Sequence, residues 1–427
     1  MRKSLLAMAA LMGISTLPAH AWRVNIDKET FADIGFSTQI WGRSEGARTT
    51  GTNTSSDHSA TRFYVNLVNI TASGQVNKLV YFFINAESTA FRGNFITRDA
   101  FIGMKFADEF RVQAGAMRVP FSRIALTSSY NFLIPTQAYT GIPNVANLDR
   151  GVFQGLSIVP ISVVGLDNDG SRDAGIVVWG NVAGGLLKYY LGVSDGRFDV
   201  RGSNLFGNNT KDSLAYTIRL QFTPTMLGFK GETGYTLADT YLGRQNVLTL
   251  GVGYRVVGAE TTGLNTNYSK DAKMFTVDML YEQKFGDIVP NLQVGYIDAK
   301  DVAYGFGAAT CTGANRVCYG KATQIYAQAQ LLYDQMVGFG KPALAIRWEE
   351  NKNKDRFELN TGVVNATPSP ISGEPKNTRV GVFAHYYIKG QAAKVSLGVD
   401  SVNRNTDSKG ANGKSFTDFT LHLQTQF

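Results

Sequence analysis

Ser213-Leu214-Ala215-Tyr216-Thr217-Ile218-Arg219-Leu220-Gln221-Phe222 sets apolar residues against polar or small ones in strict alternation. Successive side chains of an extended chain face opposite sides, so one face of this segment meets an apolar medium and the other a polar one. The pattern recurs on either side of it. Leu248, Leu250, Val252, Tyr254 and Val256 alternate with Thr249, Gly251, Gly253 and Arg255, and Phe275, Val277, Met279 and Tyr281 with Thr276, Asp278, Leu280 and Glu282. Similar runs lie at Ile325–Tyr333, Leu344–Trp348, Val380–Ile388 and Val395–Val399. Each strand is expected to run about ten residues, the length a tilted strand needs to cross a bilayer.

A soluble β-sandwich or propeller also alternates, but two features set this chain apart. Its connections alternate between brief turns (near 74–78, 106–110, 286–290, 335–341 and 389–392) and long polar loops (near 44–60, 195–212, 258–272, 301–321, 352–377 and 405–415). Short periplasmic turns and longer external loops mark an outer-membrane barrel. The polar faces also carry many charges, as a wet interior would. Strands are expected near 33–44, 62–74, 78–88, 98–106, 110–117, 173–181, 186–194, 213–222, 247–257, 273–285, 291–300, 322–334, 342–351, 378–389, 393–404 and 416–427. The fold class is therefore all-β, a transmembrane antiparallel β-barrel of about 16 strands. Residues 224–246 read as one long periplasmic connection; a strand at Phe229–Leu237, with a partner, would raise the count to about eighteen.

The first residues are set apart from the barrel. Arg2 and Lys3, an apolar stretch from Leu5 to Leu17, and Ala19-His20-Ala21 form the three parts of a secretory signal, so residues 1–21 are expected to be removed and 22–427 to form the barrel. Of the 42 basic residues, 40 then remain against 34 acidic ones. Glycine is abundant, at 45 of 427 residues, proline is scarce, and mean hydropathy is −0.11. No later apolar run is long enough to span a bilayer as a helix. Cys311 and Cys318 sit close together in a polar stretch, where an oxidising compartment would let them staple a loop.

The chain closes on a strand with Phe419, Leu421, Leu423 and Phe427 on one face and Thr420, His422, Gln424 and Gln426 on the other. A terminal aromatic on such a strand resembles the signature by which outer-membrane barrels are recognised for assembly. Trp348, Phe275, Phe285, Tyr296 and Tyr386 are expected in aromatic girdles at the membrane surfaces.

A stretch at 97–132 carries a family resemblance: Thr97-Arg98-Asp99-Ala100-Phe101-Ile102-Gly103-Met104-Lys105-Phe106, then Phe110-Arg111-Val112-Gln113-Ala114-Gly115-Ala116-Met117-Arg118-Val119-Pro120-Phe121-Ser122, then Leu126-Thr127-Ser128-Ser129. It resembles the phosphate-selective porin O and P family, and later pieces agree, among them Arg172-Asp173-Ala174-Gly175-Ile176 and Tyr190-Leu191-Gly192-Val193. The resemblance implies a homotrimer of sixteen-stranded pores in the outer membrane of a Gram-negative-type bacterium, in contact with its lipid. It also implies that the loop after the fifth strand, about 118–172, folds inward as a constriction. Phe121, Ile124, Leu133, Ile134 and Ile158 would let that loop pack against a wall.

By parity, Arg111, Lys188, Arg219, Arg255, Arg347 and Arg379 face the lumen, with Asp278, Glu282 and Glu349 among their acidic counterparts. Arg118, Arg123 and Arg150 are expected at the narrowest point. Basic rings favour anions and acidic rings cations. The small basic excess leads to an expectation of passive diffusion of small polar solutes or ions with a weak anion preference. A second reading of the arginines is that acids neutralise them and that they hold the loop. A second reading of the whole protein is a structural or adhesive barrel with a plugged lumen and partner-binding loops. Enzymatic function is not expected. His58, His385 and His422 have no nucleophile placed beside them by sequence, and Gly251-x-Gly253 opens no helix as a dinucleotide loop would. Neither a cofactor nor a metal site is expected, and basic residues spread over many strands do not form a nucleic-acid patch.

Overall fold

The computed structural model describes residues 22–48, 58–89, 95–136, 172–194, 214–257, 271–304, 318–354, 376–404 and 415–427. The expected signal segment, Arg150, Ile158 and Cys311 lie outside them, whereas Cys318 opens a strand. All sixteen expected segments are strands: β2 (Phe31–Arg48), β3 (His58–Gln75), β4 (Val80–Thr89), β5 (Ile96–Lys105), β6 (Arg111–Arg118), β7 (Arg172–Val182), β8 (Leu187–Ser194), β9 (Ala215–Phe222), β10 (Val247–Val257), β11 (Ala272–Glu282), β12 (Ile288–Tyr304), β13 (Cys318–Tyr333), β14 (Lys341–Lys354), β15 (Lys376–Tyr387), β16 (Ala393–Arg404) and β17 (Phe416–Gln426). A four-residue strand, β1 (Trp22–Asn25), precedes them.

Each strand from β2 onward pairs antiparallel with its sequence neighbour, and β17 pairs with β2, closing a sixteen-stranded cylinder. At the seam, Ser37–Ser44 of β2 pair with β17, while Phe31–Ile34 pair with β1. Between them, Phe36 and Phe427 exchange backbone hydrogen bonds of 2.9 and 3.0 Å. β1 thus continues the line of β17, so this side of β2 is paired from Phe31 to Ser44. Closure removes the free edge that would leave backbone groups unsatisfied in hydrocarbon.

Polarity is inverted relative to a soluble protein. On β9, Arg219 is 0% exposed, while its neighbour Leu220 is 40% exposed. Tyr216, Ile218, Leu220 and Phe222 face outward, and Ala215, Thr217, Arg219 and Gln221 inward. A charge is costly to bury and a leucine costly to leave in water, so this arrangement fits a lipid-clad outside. Phe275, Phe285, Tyr296 and Trp348 lie on the outward face. Among the described residues no helix is long and apolar enough to cross a membrane, which leaves crossing to the strands.

One end of the barrel carries short turns. Gly286 (φ +57°) and Gly338 (φ +71°) each occupy the first central position of a two-residue hairpin turn, closed by Phe285 with Ile288 and by Val337 with Gly340. A positive φ there matches the twist of the flanking strands, and glycine takes it without a Cβ clash.

Two segments enter the barrel. The first leaves β6 and runs inward over Val119–Thr136, with one helical turn, α1 (Arg123–Leu126), capped by Ser122 Oγ, which accepts from the Ala125 amide at 3.2 Å. Val119, Phe121 and Ile124 pack on the inner wall formed by Ala215, Val257, Met274, Ile297 and Tyr326. Ile134 reaches Ala345 and Phe383 on the other side. The second segment is 223–246. Residues 224–246 are expected from the sequence as one long periplasmic connection; the segment starts from the short-turn end but turns into the lumen. The Leu237 amide donates to the Leu126 carbonyl at 3.1 Å, and Asp239 Oδ2 accepts from the Leu133 amide at 3.0 Å. The two insertions meet inside the barrel.

Candidate functional site

The barrel interior is the candidate site, and its chemistry follows from strand parity. Inward positions place charged groups of neighbouring strands side by side, and nearly every one finds a counter-charge. Arg219 forms a two-pronged pair with Asp278, both contacts 2.7 Å. Arg255 reaches Asp173 at 2.8 Å and Thr217 at 3.1 Å. Arg347 and Arg379 share Asp400, at 2.5 and 2.7 Å, and Arg379 also reaches Glu349 at 3.4 Å. Arg43 with Asp418 and Arg98 with Glu87 extend the series. Among buried described residues, eleven basic groups stand against ten acidic ones. Arg111 pairs with Asp108 and lies over the Trp179 ring.

Several of these groups hold the inserted segments. Arg347 donates to the Thr136 carbonyl, and Thr136 Oγ1 donates to Asp400 at 2.9 Å. Lys394 donates to the Phe132 carbonyl at 2.9 Å. The Arg123 amide donates to Asp278 at 3.0 Å. Glu282, expected as a lumen charge, instead gathers Thr240 Oγ1 at 2.6 Å and the amides of Tyr241 and Gly243 at 3.0 and 2.9 Å. Lys188 donates to the carbonyls of Glu232 and Gly234. Both therefore anchor 223–246.

Arg123 requires a correction. Expected at the narrowest point, its guanidinium is fully enclosed, forming an ion pair with Glu232 and donating to Thr249 Oγ1 at 2.7 Å and the Ala238 carbonyl at 3.0 Å. It joins the two inserted segments and presents no charge to open space. Burial works against the Glu232 carboxylate, but the adjacent guanidinium outweighs it and holds the group below its ordinary 4.5. Asp239 is the opposite case: burial pushes its carboxyl upward, and the Leu133 amide offsets that only in part.

Glycines make room for this packing. A Cβ on Gly253 would collide with the Phe121 carbonyl, and one on Gly251 with Arg219 and Asp278. Gly253 thus gives the first insertion its seat on the inner face of β10, and Gly251 gives room to the Arg219–Asp278 pair.

Open space remains on the opposite side. A cavity of about 560 Å³ lies between the wall of β2–β7 and the two insertions, which border it with Ser128–Tyr130 and with Tyr235 and Thr236. Among the described residues, the charged side chains that line it are Asp99, Arg118 and Arg172, and the C-terminal Phe427 borders it as well. Arg118 and Arg172 are paired in register across β6 and β7, and Arg172 Nε donates to Asp99 at 2.9 Å. Arg118 also donates to the Ala125 carbonyl at 3.0 Å, so it both borders the cavity and steadies α1.

One arrangement was not legible in the residues. His385 and Ser396 are register partners on β15 and β16, and His385 Nδ1 lies 2.8 Å from Ser396 Oγ. Parity alone would have put both inward; only the register makes them neighbours. Among the described residues, His385 Nε2 has no hydrogen-bond partner.

A family model described as phosphate-selective porin O and P matches residues 43–279. An uncharacterised protein of Aquifex aeolicus (strain VF5) is 30% identical over 162 residues, which are 36% of this chain and 33% of that protein. The chain thus spans about a third of the length of that curated relative. Similar solved structures include the anion-selective porin from Comamonas acidovorans (11% identity, TM-score 0.55, covering 93% of this chain and 100% of that one). The outer membrane channel DcaP of Acinetobacter baumannii is 12% identical, with a TM-score of 0.54 over 95% of this chain and 99% of that one. Salmonella typhi OmpF in complex with daunomycin is 15% identical, with a TM-score of 0.53 over 95% and 100%. At such identities the likeness is one of fold.

Proposed function

Because the chain belongs to the phosphate-selective porin O and P family, we propose that it is an outer-membrane porin for passive diffusion of small polar solutes, with a weak preference for anions. The observation that supports the preference is the placement of two guanidiniums, those of Arg118 and Arg172, on the wall of the open space. Elsewhere in the barrel the buried charges nearly cancel. Basic groups at a constriction lower the barrier to anions. The path in this proposal is off-centre: the insertions pack on the wall from β6 round to β13 and reach across to β14–β16 through Phe132–Thr136, and solutes pass through the cavity left beside β2–β5.

Arg118 is the constriction residue in this proposal, with Arg172 beside it and Arg123 as a strut. Lumen-facing Arg219, Arg255, Arg347 and Arg379, each tied to an acid, shape the wall more than they set its charge. The test is the reversal potential of the reconstituted protein across a planar bilayer in a potassium chloride gradient. A modest chloride preference is expected, reduced or inverted by Arg118→Gln. A potassium preference in the unaltered protein would refute the anion reading.

A further inference from the structure

We propose that the outer wall of the barrel, at its long-loop end on β11–β15, is a docking site for a phosphorylated glycolipid of the external leaflet. The lipid in question is a disaccharide with a phosphate at each end and several acyl chains. The site lies outside the wall, so it stands apart from what the lumen conducts.

Strand ends opposite the short turns are the external ones. There four lysines face outward in two register pairs. Lys273 of β11 lies directly opposite Lys300 of β12, and Lys352 of β14 directly opposite Lys376 of β15. Like charges so placed destabilise a sheet, and each pair calls for an anion. The second pair has one: both lysines bind Glu350, Lys352 at 2.8 Å. The first pair does not. Asp298 reaches Lys300 alone, at 3.4 Å, and Lys273 forms no ion pair with any described residue. Both side chains are open to a ligand, Lys300 being 53% exposed. Even with the exposed Asp271 at the head of β11 counted, four lysines stand against three acids on this arc. On β2–β3 and β16–β17 the outward pairs at the same end are neutral. Thr61 Oγ1 donates to Ser44 Oγ at 3.1 Å, and Thr417 Oγ1 to Ser401 Oγ at 3.3 Å.

Beneath the lysines, Phe275, Tyr296 and Trp348 lie on the same outward face, two to four residues nearer the bilayer centre. Cations above an aromatic and apolar band suit a lipid whose anionic head sits over its chains. The spacing selects the glycolipid. The two lysine pairs are three strand spacings apart, about 14 Å. Thr323 of β13 lies between them, in register with Asp298 on one side and Lys352 on the other. A disaccharide with a phosphate at each end spans that distance, whereas the single phosphodiester of an ordinary phospholipid engages one pair only.

The experiment is native mass spectrometry of the full protein in detergent, titrated with diphosphorylated lipid A, monophosphorylated lipid A, phosphatidylglycerol or inorganic phosphate. Diphosphorylated lipid A is expected to bind tightest. Lys273→Gln with Lys300→Gln is expected to weaken that binding about tenfold, the scale of two lysines at an anionic lipid surface. Lys28→Gln with Lys78→Gln, exposed at the short-turn end, is expected to leave it unchanged. Without lipid the first double variant is expected to melt no lower than the unaltered protein, because it removes a like-charge opposition; this separates lost binding from lost folding. Unchanged lipid A affinity in that variant would overturn the site. So would monophosphorylated lipid A, phosphatidylglycerol or inorganic phosphate bound as tightly as the diphosphorylated form. None of these outcomes bears on the porin reading, which conductance tests.

Discussion

Gly253 lacks a side chain where the Phe121 carbonyl meets the wall, so the smallest change there tests the seating of the first insertion. Gly253→Ala is expected to lift Val119–Phe121 off β10 at a cost of about 1–3 kcal/mol, as in other overpacked interiors. The readouts are a lower thermal midpoint in detergent and a noisier single-channel current. Arg123 and Glu232 make a harsher case. Both are enclosed, so Glu232→Gln leaves a guanidinium without its counter-charge, and a loss of about 3–5 kcal/mol is expected. The pair also sets an acid response. Because the folded Glu232 carboxyl sits below its ordinary 4.5, its stabilising contribution is complete above that pH and is lost as pH falls through the folded value. Asp239 acts with the opposite sign: its raised pKa means that the folded state carries a penalty at neutral pH, relieved on acidification. Thermal melts between pH 3 and 7 are expected to show a stability loss below about pH 4.5 that Glu232→Gln flattens and Asp239→Asn steepens.

At the level of elements, the strands were readable because lipid and polar interior impose different residues on their two faces. Leu220 beside Arg219 is enough to fix a face, and a run of such pairs fixes a strand. The insertions were only half readable. Phe121, Ile124 and Ile134 announced that the first could pack, since a loop wholly in water has no use for them. Nothing comparable marked 223–246 as an inward segment: Phe229, Tyr235, Leu237 and Tyr241 share one parity, which suggests a connection or a further strand and not a plug. Its partners are far away in sequence: Glu232 meets Arg123 across 109 positions and Glu282 meets Thr240 across 42. Parity says which side chains point inward, but not which of them will touch. The same limit hid the His385–Ser396 contact, and for Arg123 it left open the choice between a pore charge and a residue that an acid neutralises and that holds the loop; its pair with Glu232 fits the second. A direct check on the second insertion is Glu282→Ala, which removes the acceptor for Thr240, Tyr241 and Gly243. It is expected to free 240–243 and raise protease sensitivity there, with the barrel itself remaining resistant.

For the whole molecule, the apolar exterior predicts that the protein requires detergent or lipid to stay dispersed. Light scattering of the purified chain after detergent removal is expected to show aggregation, and a stable monodisperse solution would contradict the barrel's placement in a membrane. Trimeric assembly, a proposal resting on the family, is expected to appear as a species three times the protomer mass in detergent-corrected sedimentation. Swelling of liposomes in small sugars separates an open path from a plugged adhesive barrel. Permeability is expected, because the cavity beside the insertions is bordered by polar groups from β2 to β7.

The meeting of the two insertions also bears on how the barrel comes apart. One descends from the β6–β7 side and the other rises from β9–β10, and they are joined by a parallel bridge between Thr127 and Leu237. Each insertion is also held by distant strands, the first by Arg347 and Lys394 and the second by Lys188 and Glu282, so the clasp braces the closed wall from within. Opening the finished cylinder then means undoing the clasp first. The protein's resistance to denaturants should therefore be governed by a slow unfolding step, and weakening the clasp should shorten the lifetime of the folded state more than it slows folding.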